Sequence, residues 1–156
     1  MSANLLDGQN YIIFLKLTSR LPHWYGRLVH AMMEFDVQVV PMGIDDLRGL
    51  PLATRAHVLC INDSPMTHRI LSQFRARYLD FALMRKKIVL YELSSFAPIS
   101  KKFVFNGAQY YRHIPMPLQL NLLVRLVACD YYNNWDNDTI WPGGRRATLP
   151  HQGTSR

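Results

Sequence analysis

Apolar and polar positions in this chain alternate between short continuous apolar runs and longer segments with helical spacing. The first run, YIIFLKL at 11–17, is rich in β-branched and aromatic residues, which predicts a strand covered on both faces. SRLPHWYGRLVHAMMEF then sets Trp24, Leu28, Ala31 and Met32 at helical spacing behind a serine or proline start. VQVVPM at 37–42 predicts a second strand, and GIDDLRGLPLATR a short helix interrupted by glycine and proline. HVLCIND at 57–63 predicts a third strand ending in polar residues, followed by a helix over SPMTHRILSQFRARYLDFALMR. KIVLYEL at 87–93 is the fourth strand. In SSFAPISKKFVFNGA, 94–108, a fourth helix is due, but Pro98, Asn106, Gly107 and the β-prone FVF predict an irregular or short element. QYYRHI at 109–114 supplies strand five, and LQLNLLVRLVACDYY from 118 a last helix with Leu118, Leu122, Leu123 and Leu126 on its apolar face.

Strands that alternate with helices at this spacing predict a parallel sheet with helices on both faces, because each parallel crossover needs a long return connection. The sequence thus predicts an α/β domain over 1–132, a three-layer sandwich around a five-stranded parallel sheet. From Asn133 onward periodicity is lost and Asn, Asp, Gly and Pro accumulate, which predicts an irregular, flexible basic tail over 133–156. A chain of 156 residues can bury a core of this kind without staples.

Composition narrows the chemistry. Cys60 and Cys129 lie among apolar neighbours and have no ligand spacing, so they read as small buried hydrophobes. His23, His30, His57, His68, His113 and His151 are scattered without a metal-binding pattern, and no metal or cofactor is expected. No GxGxxG, P-loop or GxSxG stretch occurs. The apolar runs are too short to cross a bilayer, and MSANLLDGQN has no secretory pattern, so a cytoplasmic protein is expected. The outlier is charge: the formal net value is +7. Arg69, Arg75, Arg77, Arg85, Lys86 and Lys87 form a basic patch in the third helix and after it, and the tail adds more, which fits an acidic partner.

The order of units, closing on the strand QYYRHI and then MPLQLNLLVRL, resembles a receiver (CheY-like response-regulator) domain over about residues 9–132. The resemblance implies a flavodoxin-like fold. It also implies a phospho-acceptor at the end of strand three, where Asn62 or Asp63 falls. An acidic pair would follow strand one to hold a divalent cation through oxygen. Here that place reads LKLTSR, with Lys16 and Arg20. A hydroxyl residue would end strand four, where Tyr91 or Glu92 stands, or Ser94 or Ser95 under a shifted alignment. A lysine would precede the proline; Met116 replaces it, and a thioether cannot meet a phosphoryl oxygen as an ammonium does. Phosphoryl transfer rests on positioned charge and metal, so the sequence predicts a degenerate module, not an enzyme, with Asn62, Asp63, Tyr91 and Met116 marking the vestigial site.

The expected function is that of a phosphorylation-independent pseudo-receiver, an adapter or regulator in a bacterial signalling or secretion-type pathway. Its contact surface is expected at Tyr110, Tyr111, Arg112, Pro117 and Leu118, one tyrosine being core, with a homodimer or hetero-complex as the outcome. The alternatives are a small ligand-binding or glycosyltransferase-like α/β domain, for which SRLPHWYGRLVHAMMEFDVQVV is the faint signal, and a nucleic-acid-associated regulator using the basic helix and tail.

Overall fold

The computed structural model describes residues 10–50, 55–75, 88–97 and 111–137, and side chains as far as Asn133. Along the chain run β1 (Tyr11–Lys16), α1 (Tyr25–Met33), β2 (Gln38–Gly43), α2 (Ile44–Arg48), β3 (Ala56–Asn62), α3 (Pro65–Phe74), β4 (Ile88–Ser94), β5 (Tyr111–Pro115) and α4 (Leu120–Asn137). The strands form one five-stranded sheet in the order β2-β1-β3-β4-β5, every neighbouring pair parallel. That order is the doubly wound, flavodoxin-like one shared by receiver domains.

The strands have no polar face because both faces are covered. Ile13 and Leu15 of β1, Val58 and Cys60 of β3 and Leu90 of β4 pack toward α2 and α3 with Leu47 and Leu71. Ile12, Phe14, Leu59 and Tyr91 turn the other way, toward α1 and α4 with Leu28, Met32, Leu123 and Val127. Pro41 is tolerated in β2 because β2 is an edge strand.

Local chemistry sets the helix ends. Ser64 caps α3: its hydroxyl accepts from the Thr67 N–H at 3.1 Å, while the Thr67 hydroxyl accepts from the Ser64 N–H at 3.1 Å, and Pro65 opens the first turn. α1 ends where Asp36 adopts a left-handed backbone at φ 60° and the Val37 N–H returns to the Met32 carbonyl at 3.1 Å. α4 differs from expectation twice. It continues to Asn137, so regular structure runs past the boundary expected at 132. Its buried stripe is Leu123, Val124, Val127, Ala128 and Tyr131, leaving Leu122 exposed, and Leu118 precedes the helix. An apolar run this dense offers several helical stripes, and the sheet selects among them. The expected second half of the third helix, the irregular segment from 98, Tyr110, and the tail beyond 137 lie outside the described residues.

Candidate functional site

The carboxyl ends of β3 and β4 place several polar side chains on the face covered by α2 and α3. Asn62 ends β3 directly opposite Ser94, which ends β4. Two residues back on the same side, Glu92 lies across from Cys60 and beside His113 of β5. Asn62 and Glu92 are fully buried. Such groups need partners, and the fold supplies them. Asn62 Nδ2 donates to Glu92 Oε2 at 2.6 Å and lies 3.0 Å from His68 Nδ1. Asn62 Oδ1 accepts from the Thr67 hydroxyl at 3.1 Å. The other carboxyl oxygen of Glu92 accepts from the Tyr111 hydroxyl. One carboxyl group thereby ties β3, β4 and β5 together, and Asn62 joins them to the first turn of α3.

The network reaches outward along two rings. His68 packs on Phe96 with centroids 4.7 Å apart, and the Phe96 carbonyl accepts from His113 Nε2 at 2.9 Å. Phe96 is itself held by its N–H, which donates to the Ser94 hydroxyl at 2.9 Å. Inward, burial pushes the Cys60 thiol well up, and the neighbouring Glu92 charge adds to this, so the thiol is a poor nucleophile. Arg75, at the end of α3, is buried with its guanidinium carbon 5.9 Å from the centre of the Tyr111 ring.

The opposite face carries a separate aromatic group. His57 lies 5.8 Å from Tyr91 in a stacked arrangement and 5.0 Å from Tyr131 edge-on. Burial lowers its pKa to about 3. Nearby, Arg112 grips Asp130 of α4 through Nε and Nη2, the latter at 3.1 Å from Oδ1. Burial raises the Asp130 carboxyl, and Arg112 opposes that rise.

The expected site residues separate accordingly. Asn62 is at the centre of the strand-end network, and Asp63 is exposed at the turn beyond it. Tyr91 is not at the site: alternation along β4 turns it to the α1/α4 face, and Ser94 is the hydroxyl residue that ends the strand. Met116 packs partly buried against the α1/α4 cluster. Tyr111 is not a contact residue, because it is 1% exposed and committed to Glu92. Arg112, Pro117 and Leu118 are exposed, although Arg112 is held by Asp130. In the basic patch Arg69 is exposed, whereas Arg75 is buried and leaves that surface. Arg77, Arg85, Lys86, Lys87 and Tyr110 lie outside the described residues. Glu92 stands in the sequence only as a stand-in for a hydroxyl at the end of strand four. Nothing there but its place as an acid inside the apolar run IVLYELS marks it as the hub that Asn62 joins to Thr67 and His68.

A divalent cation does not fit this corner. Both Glu92 oxygens are taken by donors, Asn62 presents its amide nitrogen toward Glu92, and β1 ends in Lys16. Among the described residues no group of three or more histidine, cysteine, aspartate or glutamate side chains could hold a metal ion. No described helix is long and apolar enough to cross a membrane.

No protein-family model matches the chain, and no curated protein matches it. A solved structure of a response regulator from Thermotoga maritima is similar at 13% identity with a TM-score of 0.43, over 79% of this chain and 98% of that one. The fold rests on this chain's own strand order.

Proposed function

We propose that this protein is a receiver-like module that accepts no phosphoryl group and acts by binding another protein, as an adapter or regulator. The observation that carries this reading is the state of the strand-three end. Asn62, a carboxamide, is fully buried and spends its polar atoms on Glu92, Thr67 and His68. Phosphoryl transfer needs an oxygen nucleophile beside a metal and a cation aimed at the transferred group. Here Lys16 and Arg20 stand where an acid pair would, and Met116 where a lysine would. Among the described residues no metal-holding group of histidine, cysteine, aspartate or glutamate gathers at Asp63. Pro117 and Leu118 are exposed just beyond β5, which supports a contact role for this end of the fold.

The test is intact-protein mass after incubation with acetyl phosphate and magnesium. The expected spectrum is that of the untreated chain. A stoichiometric phosphoryl adduct lost in Asp63→Asn would overturn the reading.

A further inference from the structure

We propose that His68 is a proton-operated latch. Uncharged, it holds the turn after β4, residues 95–97, against the first turn of α3, and a proton on its Nδ1 releases that turn. The inference concerns a change of shape at the strand ends and does not depend on the contact function proposed above.

The hydrogen bonds of this corner fix which nitrogen of His68 is bare. Glu92 uses both carboxyl oxygens as acceptors, one from the Tyr111 hydroxyl and one from Asn62. A carboxylate only accepts, so the Asn62 amide must present its nitrogen on that side. The Asn62 oxygen then accepts from the Thr67 hydroxyl at 3.1 Å. The second proton of the same amide nitrogen is left for His68 Nδ1, 3.0 Å away. That bond needs a lone pair on Nδ1, so the imidazole carries its proton on Nε2. A further proton, on Nδ1, would set donor against donor. Asn62 cannot turn over to receive it, because its oxygen would then face the Glu92 carboxyl, 2.6 Å away. Asn62 and Glu92 are fully buried, whereas His68 is partly exposed and is the member that can swing outward.

Among the described residues, the titratable groups that face His68 from other strands are Glu92 of β4, through Asn62, and His113 of β5, beyond the Phe96 carbonyl. On the flanking chain, Asp63 and Arg69 are exposed. The Glu92 carboxylate attracts a charged imidazole and a charged His113 repels one, but neither offers Nδ1 an acceptor. What the latch holds is Phe96, whose ring packs on His68 with centroids 4.7 Å apart. The backbone around Phe96 bridges three strand ends: the Ser95 N–H donates to the Asn62 carbonyl at 3.2 Å, and the Met116 N–H to the Ser94 carbonyl at 3.1 Å. His113 is not the trigger. Its Nε2–H donates to the Phe96 carbonyl with or without a charge on the ring.

The experiment is nuclear magnetic resonance on the isotope-labelled full chain from pH 8 to pH 5, the range in which imidazoles gain charge. At pH 8 the His68 nitrogen shifts should show a bare Nδ1 and a protonated Nε2. On acidification the Asn62 side-chain amide and the Phe96 ring should shift together with the His68 titration. Tyr131, which packs on His57 on the opposite face, should stay put. His68→Phe keeps a ring on Phe96 but removes the nitrogen, and should abolish the pH response of Phe96. His113→Gln keeps a donor for the Phe96 carbonyl and should preserve that response. A proton on Nδ1 at pH 8 overturns the proposal, as does a His68 that stays uncharged to pH 5 or titrates without moving Asn62 and Phe96. A Phe96 response that survives His68→Phe or disappears in His113→Gln overturns it equally. The tautomer and the joint titration are read on the wild type, so they decide the matter even where a variant does not fold.

Discussion

At Glu92, donors from two other strands meet one carboxyl group, Asn62 of β3 and Tyr111 of β5. Removing one donor leaves a buried oxygen short of a partner. Tyr111→Phe should therefore cost about 1–3 kcal/mol, read as a lower urea midpoint with an unchanged slope. His57 poses the converse problem, a base kept neutral by its surroundings. Its folded pKa is about 3 against an ordinary 6.5, so the unfolded chain takes up a proton that the folded chain refuses. Stability that is full above about pH 6.5 is then lost as pH falls toward 3, at roughly 1 kcal/mol per pH unit. His57→Phe should flatten that slope in thermal unfolding followed across the window; an unchanged slope would place the acid sensitivity elsewhere. At this scale the sequence was legible only in part. Asn62 stood out because strand three ends in polar residues, but both faces of every strand are apolar. No periodicity therefore said which way Glu92, Tyr91 or Tyr111 points, so Tyr91 was set at the end of strand four, and which of Tyr110 and Tyr111 belongs to the core was left open.

Elements were more legible than side chains. Each described strand lies within about a residue or two of its apolar run, because a strand buried on both faces needs an uninterrupted one. The start of α3 was legible too, since Ser64 and Pro65 carry their own capping chemistry. α4 was not read as well: LQLNLLVRLVA is apolar nearly all round, and the seam that faces the sheet is chosen by packing. The seam makes a sharp prediction. Leu123→Ala empties a buried position and should cost about 2–5 kcal/mol, while Leu122→Ala, at a residue 49% exposed, should stay within about 0.5 kcal/mol of the parent. Equal losses in the denaturation midpoints would reverse the assigned face.

For the whole molecule, the order β2-β1-β3-β4-β5 builds the doubly wound fold, and the strand-end corner where such folds place ligands is occupied by the chain's own hydrogen bonds. The fold class was legible because alternating strands and helices admit few arrangements. The partner was not, since exposed residues obey no periodicity. Function in this account belongs to the outer surface and owes nothing to a phosphoryl group. The measurement that tests this most directly is affinity capture from native lysate with the tagged wild type and Leu118→Arg, each with and without acetyl phosphate and magnesium, after nuclease treatment. The account predicts one protein retained equally under both conditions by the wild type and lost in Leu118→Arg. Capture that depends on the phosphodonor, or that survives Leu118→Arg undiminished, would contradict it.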